Sequence, residues 1–194
     1  MAKQALPGLL EVVHGSMFGG KTEYMIARLR EEQARGRRVR AFKHMIDDRY
    51  DPDHLVTHRQ DRFVATRVGA AEELLSESEG YEVVAIDEGH FFTPALVEVV
   101  RAIRERCLVV IVAGITHDAW GRQFTPIPEL ARMADREILR QAPCSICGEP
   151  SPFTQRMTPV KSAHMVGGLG DYEPRCALHF EPLTEAARHA PGRG

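Results

Sequence analysis

Leu9-Leu10-Glu11-Val12-Val13-His14-Gly15-Ser16-Met17-Phe18-Gly19-Gly20-Lys21-Thr22 is the stretch on which the fold turns. The apolar run 9–14 predicts a strand, and helical spacing begins at Gly20-Lys21. Between them Gly15–Thr22 fits G-x-x-x-x-G-K-[ST] in the context that pattern requires, a strand before and a helix after. Glycines let backbone N–H groups turn inward around phosphates, and the helix N-terminus adds its dipole. Lys21 then neutralises β- and γ-phosphates and Thr22 offers a hydroxyl to Mg²⁺. The plain alternative is a glycine turn after a strand, which explains neither the GKT ending nor its flanks.

Working outward, Met25, Ile26 and Leu29 share one side of the helix, while Arg28, Arg30, Glu31 and Glu32 are expected on the wet side. Gly36 ends it and Arg37–Lys43 predicts a second strand. Asp47–Arg62 is polar and predicts an ordered loop without elements. A short strand (63–66), a helix (69–77), a strand (82–87) and a helix (94–106) follow. Leu108–Ala113 is the most apolar run, as a central parallel strand requires. Alternating strands and helices predict an α/β, RecA-like P-loop sheet with helices on both faces.

A P-loop needs an acid at the end of a neighbouring strand, and Val83-Val84-Ala85-Ile86-Asp87-Glu88 supplies one. Asp87 is the candidate for the Mg²⁺ shell and Glu88 the candidate base; a solvated helix cap is the bland alternative for each. After Arg140 the texture turns to cysteine, proline and glycine. Cys144-x-x-Cys147 and Cys176-x-x-His179 flank residues 148–175 and predict a closed structural Zn²⁺ site, against a redox CxxC that would leave the second pair unexplained. The chain is therefore divided into a P-loop domain (1–140), a zinc-pinned lasso (141–183) and a flexible tail (184–194).

The 194 residues suffice for one medium domain and a small appendage. A net charge of −2 asks for neither nucleic acid nor membrane, and no run approaches the ~20 apolar residues of a membrane helix. A cytoplasmic location is the default expectation. The cluster Arg35, Arg37, Arg38 and Arg40 reads as a solvated helix end, and His58 and His90 as ordinary hydrogen-bonded histidines unless they serve as ligands or bases.

With these pieces placed, the chain resembles the type II thymidine kinases from about Leu10 to Phe180. Gly15–Thr22 resembles that family's G-x-M-F-x-G-K-[ST], Asp47-Asp48-Arg49-Tyr50 with Thr57-His58 its D-x-R-Y…[ST]-H, and Asp87-Glu88-Gly89-His90-Phe91-Phe92 its D-E-[GA]-Q-F-F. Phe153-Thr154-Gln155-Arg156 and Gly167-Gly168 with Tyr172 resemble its T-[QK]-R and G-G-x-x-x-Y. The resemblance implies transfer of the ATP γ-phosphate to the 5′-hydroxyl of thymidine or deoxyuridine, with Glu88 as base and Asp87 and Thr22 at magnesium. Gly15 through Thr22, Gly89 and His90 then bind nucleotide, with Arg49 and Arg156 near the transferring phosphate. Met17, Phe91, Ile115, Ala119, Phe124, Thr154, Val166, Gly167, Gly168 and Tyr172 bind nucleoside, partly through lasso backbone. A homotetramer inhibited by dTTP is implied as well. The sequence departs from the pattern at His90 (Gln is usual), at Thr116, Ala119 and Trp120, and at Gly170-Asp171. Trp120 is expected to fill part of the space that Ala119 leaves. The competing readings are a P-loop ATPase on DNA, a kinase of another nucleoside, and a zinc module with a vestigial P-loop. The net charge opposes the first, and intact Lys21, Thr22 and Asp87 oppose the last.

Overall fold

The computed structural model describes residues 7–47, 51, 53–57, 59–159, 167–168 and 170–184. β1 (Leu9–Gly15), α1 (Lys21–Ala34), β2 (Val39–His44), β5 (Thr66–Val68), α2 (Glu73–Glu77), β6 (Val83–Asp87), α3 (Leu96–Arg104), β7 (Val109–Ile115), α4 (Ile127–Met133) and β8 (Arg136–Arg140) build the main layer structure. β3 (His54–Val56) and β4 (Arg62–Val64) form a hairpin, and β9 (Ala142–Pro143), β10 (Pro150–Ser151), β11 (Phe153–Arg156) and β12 (Tyr172–Arg175) form two small antiparallel pairs. The six-stranded sheet runs β5-β2-β6-β7-β1-β8 with every neighbouring pair parallel.

The central strands read as continuous apolar runs because both faces are covered, and period-2 alternation sorts their side chains. Leu10, Val12, Phe42, Val84, Ile86, Val110 and Val112 pack beneath α2, α3 and α4. Val13, Ala41, Val83, Ala85, Ile111 and Ala113 face α1 and the hairpin, through Met25, Ile26, Leu29, Leu55 and Ala65. Burying one such aliphatic side chain stabilises the fold by ~1.5–3 kcal/mol. Parallel strands end on one edge, so Gly15, Asp87 and Ile115 are delivered together to the carboxyl side of the sheet.

Local expectations change in several places. The polar stretch 47–62 carries β3, because Leu55 can face the core while its neighbours pair with β4. The single strand at 63–66 is two, β4 and β5. Arg28 and Glu32 are not on a wet face: Arg28 binds Glu11 (2.9 Å) and Glu32 (3.1 Å), and Glu32 also takes Arg35 and Arg37. Glu11 is buried, which raises its pKa, but the hydrogen bonds and charge of Arg28 outweigh this and hold its carboxyl below the usual range. The helix expected at 69–77 starts later, at Glu73, the one expected at 94–106 is shorter at both ends, and α4 and β8 are additions.

Candidate active site and metal centre

The phosphate loop is shaped by the edge strand beside it. Gly15 has φ +139°, and a Cβ there would lie 1.9 Å from the Arg140 carbonyl oxygen; at Gly19 the same oxygen would be 2.5 Å away. Phe18 (φ +63°) and Gly20 (φ +76°) take the left-handed conformation that curls the loop. Gly20 caps α1 without a side-chain bond, so the first helical N–H groups are left for an anion. The Lys21 ammonium donates to the Ser16 carbonyl across the loop (2.6 Å). Ala142 N–H donates to Ser16 Oγ (3.2 Å) and Met17 N–H to Thr154 Oγ1 (3.0 Å), so the segment after Arg140 braces the loop.

Asp87 ends β6 fully buried. The Thr22 hydroxyl donates to its Oδ2 (3.1 Å) and Glu88 N–H to its Oδ1 (2.9 Å). Burial, then the charges of Glu88 and Asp47, push its carboxyl up to about 7 against those two hydrogen bonds. Glu88 has φ +51°, a strained position for a non-glycine residue, and leads into one 3₁₀ turn, Gly89–Phe91. Its carboxylate lies 3.4 Å from His90 Nδ1, which accepts Ile115 N–H (3.3 Å). His90 is buried against Phe91 and Phe124, with ring centroids 4.2 and 5.0 Å apart.

A pocket at this edge is lined by Met17, Lys21, Thr22, Asp87, Glu88, Ile115 and Gly168 among others. Its wall also contains Lys43, which sequence reasoning did not single out, and Asp47, which it quoted only as the start of the D-x-R-Y-like segment. Lys43 stands opposite Asp87 in the β2–β6 register, 3.2 Å from Asp47 Oδ2, and donates to the Asp51 carbonyl (2.9 Å). A lysine near the end of β2, four residues before the aspartate that opens the D-x-R-Y-like segment, was the available signal.

Other expected residues lie elsewhere. Arg156 donates to the Tyr172 hydroxyl (2.6 Å) and the Thr158 carbonyl (3.0 Å), with its guanidinium 4.9 Å from the Tyr172 ring centroid, and it does not line the pocket. Tyr172 and Thr154 are buried, and a Cβ on Gly167 would meet the Tyr172 ring at 2.9 Å. Ala119 is buried away from the pocket wall. Trp120 does not turn its N–H into the space beside it but donates it to the Thr184 carbonyl (3.3 Å). Asp48, Arg49, Tyr50, His58 and Val166 lie outside the described residues.

Cys144, Cys147, Cys176 and His179 bring their ligand atoms within 4.8 Å of one another. The Cys147–Cys176 sulfurs are 3.6 Å apart, and His179 Nδ1 lies 3.2 Å from Cys176 Sγ and 3.7 Å from Cys144 Sγ. Tetrahedral Zn–S bonds of ~2.3 Å give edges of about 3.8 Å, so the donor set fits that ion. Burial opposes ionisation of the Cys144 thiol, yet the N–H groups of Cys176, Ile146 and Cys147 and the His179 ring draw it down to about 5. Cys107 stands apart in the core.

The sign of the Asp87 shift gives a test. A carboxyl held near 7 in the fold, against 3.8 in the unfolded chain, keeps a proton that the unfolded chain has lost. Stability then falls as pH rises between those values. In magnesium-free buffer, Asp87→Asn should gain melting temperature relative to the parent between about pH 4 and pH 7. A constant difference across that range refutes the burial argument.

A family model described as thymidine kinase matches residues 8–180. A thymidine kinase of Rhodothermus sp. (strain ITI 518) is 38% identical over 175 residues, 90% of this chain and 82% of the relative. A thymidine kinase of Bdellovibrio bacteriovorus (strain HD100) is 38% identical over 180 residues, 92% of this chain and 88% of the relative. Among solved structures, the genome-packaging NTPase B204 of Sulfolobus turreted icosahedral virus 2, in complex with sulfate, is similar with a TM-score of 0.46 and 22% identity, over 69% of this chain and 74% of that one. Nothing about this site follows from a likeness of that size.

Proposed function

The chain belongs to the thymidine kinase family, whose members move phosphate from ATP to thymidine, and on that premise we propose how its residues divide the reaction. The observation that carries the reading is that Lys21, Thr22, Asp87 and Glu88 line one pocket at the carboxyl edge of the sheet. Glu88 takes the proton from the nucleoside 5′-hydroxyl as its oxygen bonds to the γ-phosphorus and the bond to the β-phosphate oxygen breaks, releasing ADP. The loop N–H groups and Lys21 hold the β- and γ-phosphates. Thr22 and Asp87 are hard oxygen donors side by side, and a buried carboxyl beside the charges of Glu88 and Asp47 suits Mg²⁺, which would supply charge neutralisation when bound. Arg49 and Arg156 face the transferring phosphate in the same reading, and Arg156 reaches it only if the lasso rearranges, since it is committed to Tyr172.

Thr154, beside Met17, with Gly167, Gly168 and Tyr172, forms the base side, and residues 141–183 act as a zinc-pinned cover over the P-loop domain 1–140. Phe91 and Phe124 support it through His90, which takes the place of the usual glutamine. A homotetramer, inhibition by dTTP and a cytoplasmic location belong to the same proposal. No helix among the described residues is long and apolar enough to cross a membrane.

The test is kcat/KM for four acceptors at fixed Mg·ATP. Thymidine and deoxyuridine should be phosphorylated well, deoxycytidine much less and purine deoxynucleosides hardly at all. Polar groups arranged for thymine stay unpaired against cytosine, at ~1–3 kcal/mol each. A deoxycytidine or purine value equal to that of thymidine overturns the nucleoside assignment. ATP consumption independent of any nucleoside overturns the kinase reading itself.

A further inference from the structure

Residues 180–184 lie across the loop 116–124 that follows β7, and several kinds of contact hold them there. Leu183 N–H donates to the Ala119 carbonyl (3.0 Å) and the Trp120 indole N–H to the Thr184 carbonyl (3.3 Å). The Gln155 side-chain amide grips Glu181 by both backbone groups, each at 2.8 Å. Phe180 stacks on Phe153 with centroids 4.4 Å apart and planes 10° from parallel. Gly121, at φ +79°, leaves room for that ring: a Cβ there would lie 3.1 Å from it.

The loop also has bonds of its own: Asp118 N–H donates to the Arg122 carbonyl (2.8 Å), Gly121 N–H to the Asp118 carbonyl (3.0 Å) and Phe124 N–H to the Thr116 carbonyl (2.9 Å), and the His117 ring packs on Phe153 with centroids 4.9 Å apart. Asp118 takes the N–H groups of Trp120 and Arg122, which fixes a turn, but Ala119 contributes only a methyl group to the interior. Ordering a backbone costs ~1–2 kcal/mol per residue, so contacts from the strap add to what these bonds supply in keeping one conformation. Its two ends reach the pocket. Thr116 N–H donates to the Gly15 carbonyl (3.0 Å), and Phe124 packs on His90, whose Nδ1 holds the N–H of the pocket residue Ile115.

We propose that the segment 180–184 is a strap that positions the 116–124 loop for the nucleoside, with Trp120 and Phe180 as its fastening residues. This rests on the thymidine reading of the pocket. Trp120 acts outward, as a clasp on the strap, and makes up for the anchor that Ala119 does not supply. Loosening the strap disturbs the nucleoside side of the pocket. The phosphate loop keeps its own braces on Arg140, Ala142 and Thr154, so nucleotide affinity is spared.

Trp120→Ala and Phe180→Ala should each raise the thymidine KM by about 3- to 10-fold, the size of losing a hydrogen bond or a stacked pair, with the ATP KM unchanged. Trp120→Phe, which keeps a ring and removes the donor, should fall between, and Phe180→Tyr should restore the parent value. Amide hydrogen exchange at Leu183 and Phe124 should quicken in both alanine variants. Phe180 follows the metal-ligand candidate His179, so the Trp120 variants decide the matter if Phe180→Ala loses zinc. A thymidine KM unchanged in Trp120→Ala, or thymidine and ATP KM rising together, overturns the proposal. If the parent itself phosphorylated no thymidine, the kinase reading would fall, and the exchange rates in the same variants would still decide the strap.

Discussion

Glu88→Gln should lower kcat by ~10²–10⁴-fold while thymidine and ATP still bind, because the substitution keeps the shape and removes only the proton acceptor. The backbone makes the position specific. Glu88 is held at φ +51° between a fully buried strand and a short 3₁₀ turn, so its side chain leaves the sheet edge in a direction its neighbours do not share. Its side chain is 13% exposed, within reach of solvent yet largely screened from it. Asp87, one residue earlier, is turned to Thr22 and to the Glu88 amide, which leaves proton transfer to Glu88. An interaction made only in the transition state appears in kcat and not in KM. Lys21→Ala should differ in kind: its ammonium lies across the phosphate loop, and deleting it should weaken ATP binding as well as turnover. Steady-state kinetics with both substrates varied separate the two patterns. Glu88→Gln retaining more than about a tenth of parental kcat would remove Glu88 from the role of base, given the usual size of that effect.

How much of this was readable in the sequence depends on what carried the signal. β1, β6 and β7 were legible because strands covered on both faces must be apolar throughout, and the phosphate loop because its glycines answer to steric demands that no other residue meets. The cluster of three cysteines and one histidine was legible because two knuckles with two-residue spacers leave a fixed signature. β8 was not: Arg-Glu-Ile-Leu-Arg lies at the edge of the sheet with only Ile138 partly covered, so its alternation is too weak to read. Yet its last carbonyl is what excludes a side chain at Gly15 and Gly19. Arg28 and Glu32 were assigned to water because charge is normally solvated; their burial depends on Glu11, another charge seventeen residues or more away in sequence. Lys43 and the strap share a further difficulty. Their partners are largely backbone carbonyls and amides, which every residue carries and no sequence advertises.

One Zn²⁺ per chain, bound by Cys144, Cys147, Cys176 and His179, is the prediction with the largest energy behind it. Structural zinc sites of this kind carry ~10–16 kcal/mol of apparent binding free energy at neutral pH, more than a small segment gains from its own packing. The distribution of apolar side chains says where that energy acts. Among the described residues neither core cluster contains one beyond Ile138, so the two short antiparallel pairs built from β9 to β12 have no share in the cores beneath the sheet. Stripping the metal, or replacing Cys176 by serine, should therefore release amide protection in β9–β12 while β1, β6 and β7 keep theirs. The loss should reach the active site by the Thr154–Met17 hydrogen bond, so the thymidine KM should rise with the same treatment. Thiolate and neutral imidazole are the binding forms, so affinity should weaken as pH falls and protons compete for the ligands. Elemental analysis, hydrogen exchange and kinetics on the same preparations test the chain of cause at each step. Well under one zinc per chain in carefully purified protein, or a Cys176→Ser variant with parental thymidine affinity, would break it.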